Sequence, residues 1–130
     1  MNNVEQPIAV VLGASRLREK YGNKAVRAYR SQGYRVYPVN PHATEIEGIP
    51  AVGSLDEISE ETIDLVSVYL PPEQGISLLE EIQRLHPREV WFNPGSESPE
   101  LLEKAASLGL PMIQACSILG IGRSPGEFGK

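Results

Sequence analysis

Ile8-Ala9-Val10-Val11-Leu12-Gly13-Ala14-Ser15 is the stretch that decides the fold. Five apolar residues with no polar alternation read as a strand buried on both faces, the habit of parallel sheets covered by helices. Gly13 closes the run, and about eight loop residues lead to a helix from about Asn23 to Gln32. Val26, Tyr29 and Ala25 form its expected core face, and Gly33 supplies a left-handed cap. Tyr34-Arg-Val-Tyr-Pro-Val39 reads as a second strand, stopped by Asn40-Pro41. Pro38 cannot donate to a ladder, so it is expected at that strand's frayed end.

The alternation continues outward from this start. Ser54-Leu-Asp-Glu57 has the spacing of a capping box and predicts a short helix to about Glu60. Ile63 to Leu70 reads as a third strand. Pro71-Pro72 open a helix in which Ile76, Leu79, Ile82 and Leu85 recur at helical spacing, and Pro87 blocks its continuation. Glu89 to Phe92 is a fourth strand, turned by Asn93-Pro94-Gly95. Ser98 caps a further helix with Pro99 at its first position and Gly109 beyond its end. Pro111 to Ala115 is a fifth strand, and the tail from Ser117 is irregular or short-helical. Strands alternating with helices predict an α/β, Rossmann-like three-layer αβα sandwich with a mostly parallel sheet of about five strands. Residues 1–130 are expected to form a single domain.

Composition narrows the function classes. Apolar content of 41% and charged content of 22% fit an ordinary globular protein. No apolar run approaches the ~18–20 residues of a membrane span. Met1 to Gln6 lacks the basic and apolar regions of a signal peptide, and a lone cysteine, Cys116, can make no intramolecular disulfide. A cytoplasmic protein without membrane contact is expected. The net charge of −5 argues against general nucleic-acid affinity. Arg16, Arg18, Lys20, Lys24, Arg27 and Arg30 nevertheless gather half of the twelve basic residues in one short stretch. Such a cluster suits a compact polyanion better than a long one.

In open parallel sheets, ligands bind beyond the carboxyl ends of the strands. Those ends here carry glycine, proline, serine and asparagine, with no paired carboxylates. Gly13-Ala14-Ser15 stands where backbone amides and the start of a helix can hold a phosphate. Arg16, Lys20 and Lys24 follow within reach. Gly13→Val is therefore expected to block phosphate approach while leaving the sheet folded. The dinucleotide fingerprint fails at Ser15 and Arg18, where glycines are required. It fails again at Asn40, where an acidic residue would hold a ribose. His42 follows Asn40-Pro41 at a strand end, where it can touch a phosphate or an adenine. His42, His86 and Cys116 nevertheless have no partner in the sequence that would make a triad or zinc site. Neither catalytic residues nor metal ligands are expected. Tyr69 and Trp91 read as core.

Together, Val10 to Ser15, Gly33 to Pro41, Gly48-Ile49-Pro50, Ser54-Leu55, Asp64 to Pro71, Val90-Trp91 and Asn93-Pro94-Gly95 carry a resemblance. In this order and spacing they resemble the CoA-binding domain family of small stand-alone proteins. That family is similar to the nucleotide-binding domain of the succinyl-CoA synthetase alpha subunit. The resemblance implies a site for coenzyme A or acyl-CoA. It assigns Gly13, Ala14 and Ser15 to phosphates, and Val39, Asn40 and Pro41 to adenosine. Leu70 and Pro71 would line the pantetheine and adenine, and Asn93, Pro94 and Gly95 would border the same groove. The synthetase carries a lysine shortly after the second strand, where this chain has His42-Ala43. Recognition of the 3′-phosphate would then fall to Arg16 or Lys20. The expected role is a non-catalytic nucleotide-binding module, with a homodimer or a protein partner left open. The alternative is an NAD(P)-binding redox sensor or small dehydrogenase-like protein, with Arg35 or His42 accepting a 2′-phosphate.

Overall fold

A computed structural model describes residues 6–60 and 62–129. The signal-peptide reading of residues 1–5 lies outside the described residues. Strand β1 (Ile8–Leu12) is buried along its whole length, as its unbroken apolar character requires. Helix α1 (Tyr21–Ser31) starts two residues before the expected position and turns Ala25, Val26 and Tyr29 fully inward. Gly33, at φ 88°, donates to the Arg30 carbonyl while Tyr34 donates to that of Tyr29, which satisfies the last carbonyls of the helix. Strand β2 (Arg35–Val39) pairs with β1 in parallel from Ile8–Arg35 to Leu12–Val39.

Pro38 corrects the expectation placed on it. It sits inside β2 and is buried. β2 is an outer strand, and the carbonyl of Pro38 points away from β1 to accept from Val52 N–H at 2.9 Å. Within a strand the amide nitrogen and carbonyl of one residue share a side, so the missing donor falls on the outer margin. No bond to β1 is lost.

Strands β3 (Glu45–Ile46) and β4 (Ile49–Pro50) form a small antiparallel hairpin that the sequence reading did not contain. Glu47 and Gly48 turn it, at φ 53° and 77°, the geometry of a two-residue hairpin loop. The helix expected from Ser54 is only one 3₁₀ turn, Leu55–Glu57. Glu57 accepts from Gly53 N–H at 3.0 Å, and Ser54 makes no side-chain cap bond, so the reciprocal box does not form.

Strand β5 (Leu65–Val68) is followed by two helices where one was expected, α2 (Pro72–Ile76) and α3 (Leu79–Arg84). Ser77 Oγ donates to the Gln74 carbonyl at 2.8 Å, and Leu78 N–H closes a tighter turn onto Gly75. This side-chain bond competes with the helical pattern at the point where the helix divides. Strand β6 (Glu89–Phe92) and helix α4 (Pro99–Ser107) match their expected positions, and Ser98 accepts from Leu101 N–H at 3.1 Å. Strand β7 (Met112–Ile113) is shorter than expected because only Val90 and Trp91 face it. The tail forms α5 (Ser117–Gly120) and a 3₁₀ turn, Pro125–Phe128.

The five-stranded sheet has the order β2-β1-β5-β6-β7, with every pairing parallel. Val10, Leu12, Val66, Val68 and Phe92 meet Leu79, Ile82 and Leu101 on one face. Ala9, Val11 and Leu65 meet Val26, Tyr29 and Ile118 on the other. Helices thus cover both faces, a Rossmann-like α/β sandwich. No helix among the described residues is long and apolar enough to cross a membrane.

Candidate functional site

Register places the strand ends in one row. Leu12 lies opposite Val39 on one side and Val68 on the other, and Val68 lies opposite Phe92. The residues that follow, Gly13, Asn40, Tyr69 and Asn93, therefore emerge side by side. Strand order reverses between β1 and β5, since the chain leaves β1 toward β2 and returns on the opposite side. Ligand crevices of open α/β sheets form at such a switch point.

A groove of two lobes lies there. The larger, about 650 Å³, is lined by Gly13, Ala14, Val39, Asn40, Pro41, His42 and Leu70 among the expected residues. The sequence reading missed its other walls, which come from Gly53-Ser54-Leu55 and from Gln74, Ser77, Leu78 and Glu81. The smaller, about 340 Å³, is lined by Gly13, Lys20, Leu70, Pro71, Pro94 and Gly95, with Tyr21, Gly22, Tyr69 and Ser96 not foreseen. Gly13 and Leu70 belong to both lobes and form the seam between them.

Close packing fixes that seam. Gly13 has φ 92°, and a Cβ there would lie 3.0 Å from the Tyr69 main chain and 3.2 Å from Leu70. A valine at this position would therefore strain the strand end as well as fill the seam, which corrects the expectation that the sheet would be left undisturbed. Gly22 is tighter still, with a Cβ falling 2.2 Å from the Gly13 carbonyl oxygen. The first turn of α1 thus rests directly on the loop it faces. Helix-helix periodicity could not reveal this; a glycine in a first turn was the available signal.

Asn23 and Arg27 hold the loop from beneath. Asn23 Nδ2 donates to the Ser15 carbonyl at 2.9 Å and to Glu47 at 3.0 Å, while its Oδ1 accepts from Arg27 Nε at 2.7 Å. Arg27 also donates to the Arg18 carbonyl at 2.7 Å and to that of Phe128 at 2.9 Å. Arg18 pairs with Glu47 at 2.5 Å. The Asn23 amide and the Arg18 guanidinium hold the Glu47 carboxyl below the usual glutamate range. Two members of the basic cluster, Arg18 and Arg27, are thus engaged in shaping the loop.

The remaining expected residues divide by position. Ser15, Arg16, Lys24 and Asn93 line neither lobe. Ser15 Oγ accepts from Leu17 N–H at 3.0 Å, and the Lys24 ammonium stands 5.0 Å over the Tyr21 ring. Asn40 faces the larger lobe while its side chain ties two turns together, donating to Ala14 O at 2.9 Å and accepting from His42 N–H at 2.7 Å. Arg35 does not reach a nucleotide at this end. It opens β2 at the opposite side of the sheet and pairs with Glu60 at 2.8 Å.

Asn93 is buried and performs a stitching role. Its amide donates to Ser67 Oγ and Val68 O, each at 2.9 Å, and its carbonyl accepts from Ser117 N–H at 2.8 Å. Ser67 and Ser117 hydroxyls meet at 2.7 Å, and the Tyr69 hydroxyl reaches Ser117 at 3.2 Å. Burial pushes the Tyr69 phenol up to about 12, so it stays protonated at neutral pH. Tyr69 is therefore a wall of the smaller lobe anchored through its hydroxyl, not plain core. Gly120 lets α5 settle against the Trp91 ring, where a Cβ would fall 2.5 Å away.

Size alone would point elsewhere. A hollow of about 720 Å³ opens at the amino ends of the strands, lined by Arg35, Glu60, Asp64 and Arg88. Two of its charges, Arg35 and Glu60, pair with each other, and Asp64 accepts from Ile8 N–H at 2.7 Å. No group of three or more His, Cys, Asp and Glu among the described residues could hold a metal ion.

Comparison with known proteins adds three findings. The family model described as CoA binding domain matches residues 8–122. The uncharacterised protein YneT of Bacillus subtilis is 30% identical over 103 residues, covering 79% of this chain and 76% of its own. A conserved hypothetical protein from Pyrococcus furiosus superposes with a TM-score of 0.78 at 30% identity, over 89% of this chain and 99% of that one. The same fold recurs in a dinucleotide-forming acetyl-coenzyme A synthetase of Ca. Korarchaeum cryptofilum. There the TM-score is 0.70 at 22% identity, over 83% of this chain and 25% of that one.

Proposed function

The chain belongs to the CoA binding domain family, and we propose that its two-lobed groove binds coenzyme A or an acyl-CoA as a carrier, sensor or subunit and not as a catalyst. The observation that carries this reading is the seam at Gly13 and Leu70, which joins a partly apolar lobe to one bearing Lys20. A diphosphate over the seam faces the Gly13 turn, the start of α1 and the Lys20 ammonium. The base and ribose then occupy the larger lobe, against Leu55, Leu70 and Leu78, and the pantetheine arm runs past Tyr69 and Pro94 in the smaller.

A thermal-shift series tests it. CoA should raise the melting temperature through stabilisation of the folded state, with AMP raising it less. Melting curves unchanged by CoA would overturn the proposal. Titration with NADH and NADPH covers the alternative, since binding of either without binding of CoA would replace it. Incubation with acetyl-CoA should leave the thioester intact.

A further inference from the structure

We infer that the groove reads a ribose whose 2′ and 3′ hydroxyls are free, so that it takes dephospho-CoA at least as well as CoA itself. This rests on the proposed function and narrows its ligand. The cationic groups are distributed unevenly between the lobes. Lys20 belongs to the smaller, while the larger has neither lysine nor arginine among its lining residues. Among the described residues that line it, His42, exposed at its rim, is the one group able to gain positive charge. Its one carboxylate among the described residues is Glu81, on α3, whose side chain makes no hydrogen bond or ion pair among them.

In dinucleotide sites a carboxylate at the end of the second strand accepts from the ribose hydroxyls. Asn40 occupies that place here, and its side chain is committed to Ala14 and His42. Glu81 offers an acceptor to the same lobe from a different wall. Hydroxyls donate to a carboxylate, and such charge-assisted bonds are among the stronger ones. A phosphate monoester in their place brings close to two negative charges toward Glu81 with no guanidinium or ammonium opposite. Arg16, the other cation considered for the 3′-phosphate, lines neither lobe.

Calorimetric titration of the full chain with CoA and with dephospho-CoA tests the inference. It should be run at pH 8, above the range where histidines ordinarily titrate, and at low salt. Dephospho-CoA should bind as tightly as CoA or up to about tenfold tighter. Glu81→Gln should shift the ratio toward CoA, and Glu81→Lys should shift it further, by about tenfold or more. Tighter binding of CoA than of dephospho-CoA by the unaltered chain would overturn the inference and leave the CoA reading standing. So would a ratio unmoved by both substitutions. Failure of both ligands to bind would remove the reading and the inference together.

Discussion

The two ends of the sheet each carry a hollow of similar volume, yet their chemistry differs. At the amino ends the walls carry long charged side chains, three of them already engaged within the protein. Arg35 pairs with Glu60, the Tyr37 hydroxyl donates to the same carboxylate, and Asp64 accepts from a strand amide. At the carboxyl ends the walls are turns in which glycine lets main chain touch main chain, and the groups left over, Lys20 and Glu81, stand in separate lobes. Hollows whose polar groups are already satisfied have little to offer a ligand. The difference teaches why the proposed site is placed at the Gly13 seam and not in the hollow of greater volume.

The largest effect should come from the tightest contact. Gly22→Ala drives a methyl into the Gly13 carbonyl, and denaturant unfolding should show a loss of about 3 kcal/mol together with loss of CoA binding. Retained binding at full affinity would detach the seam from the site. Asn93→Leu fills similar space but leaves Ser117 N–H without its acceptor, and Ser67 Oγ and Val68 O each lose the amide donor. It should cost about 2 kcal/mol in the same measurement, whereas Pro94→Ala should weaken ligand binding more than folding.

Glu47 provides a smaller and pH-dependent effect. Its carboxyl titrates below the ordinary glutamate range of about 4.3, so its stabilising share is complete at neutral pH and disappears as pH falls through that lowered value. Glu47→Gln should cost about 1 kcal/mol at pH 7 and flatten the acid limb of stability against pH. Hydrogen exchange at residues 15–20 should quicken in the same variant. At the opposite end, Arg35→Ala removes a half-exposed ion pair and should change stability by less than about 1 kcal/mol. It should leave the CoA titration unmoved, and a changed affinity would bring the amino-end hollow back as the site.

Legibility in the sequence followed the kind of interaction. The buried first strand, the Gly33 ending of α1 and the Ser98-Pro99 start of α4 were readable because each is dictated by neighbours along the chain. The hairpin at Glu47-Gly48 was not, because glutamate seldom adopts positive φ and gives none of the signal of an Asn-Gly pair. The split between α2 and α3 depends on one serine hydroxyl choosing a carbonyl, a choice that periodicity does not register. Topology was enough to place the strand-end residues Gly13, Val39, Asn40, Leu70 and Pro94 along the groove. Gln74 and Glu81 were missed because they reach the groove from α2 and α3, whose sequence reads as one helix with an apolar core face. Arg18 and Arg27 counted as charge along the chain, and only the fold reveals that carbonyls and Glu47 occupy them.

The proline in β2 also bears on how copies of this chain can meet. Its ring offers no hydrogen to an incoming strand, and Val52 already takes its carbonyl. Growth of the sheet by addition of a foreign strand is therefore blocked on that flank. The opposite flank, β7, presents only two paired residues. Assembly of this protein with itself should accordingly proceed through helix surfaces rather than through a continuous intermolecular sheet.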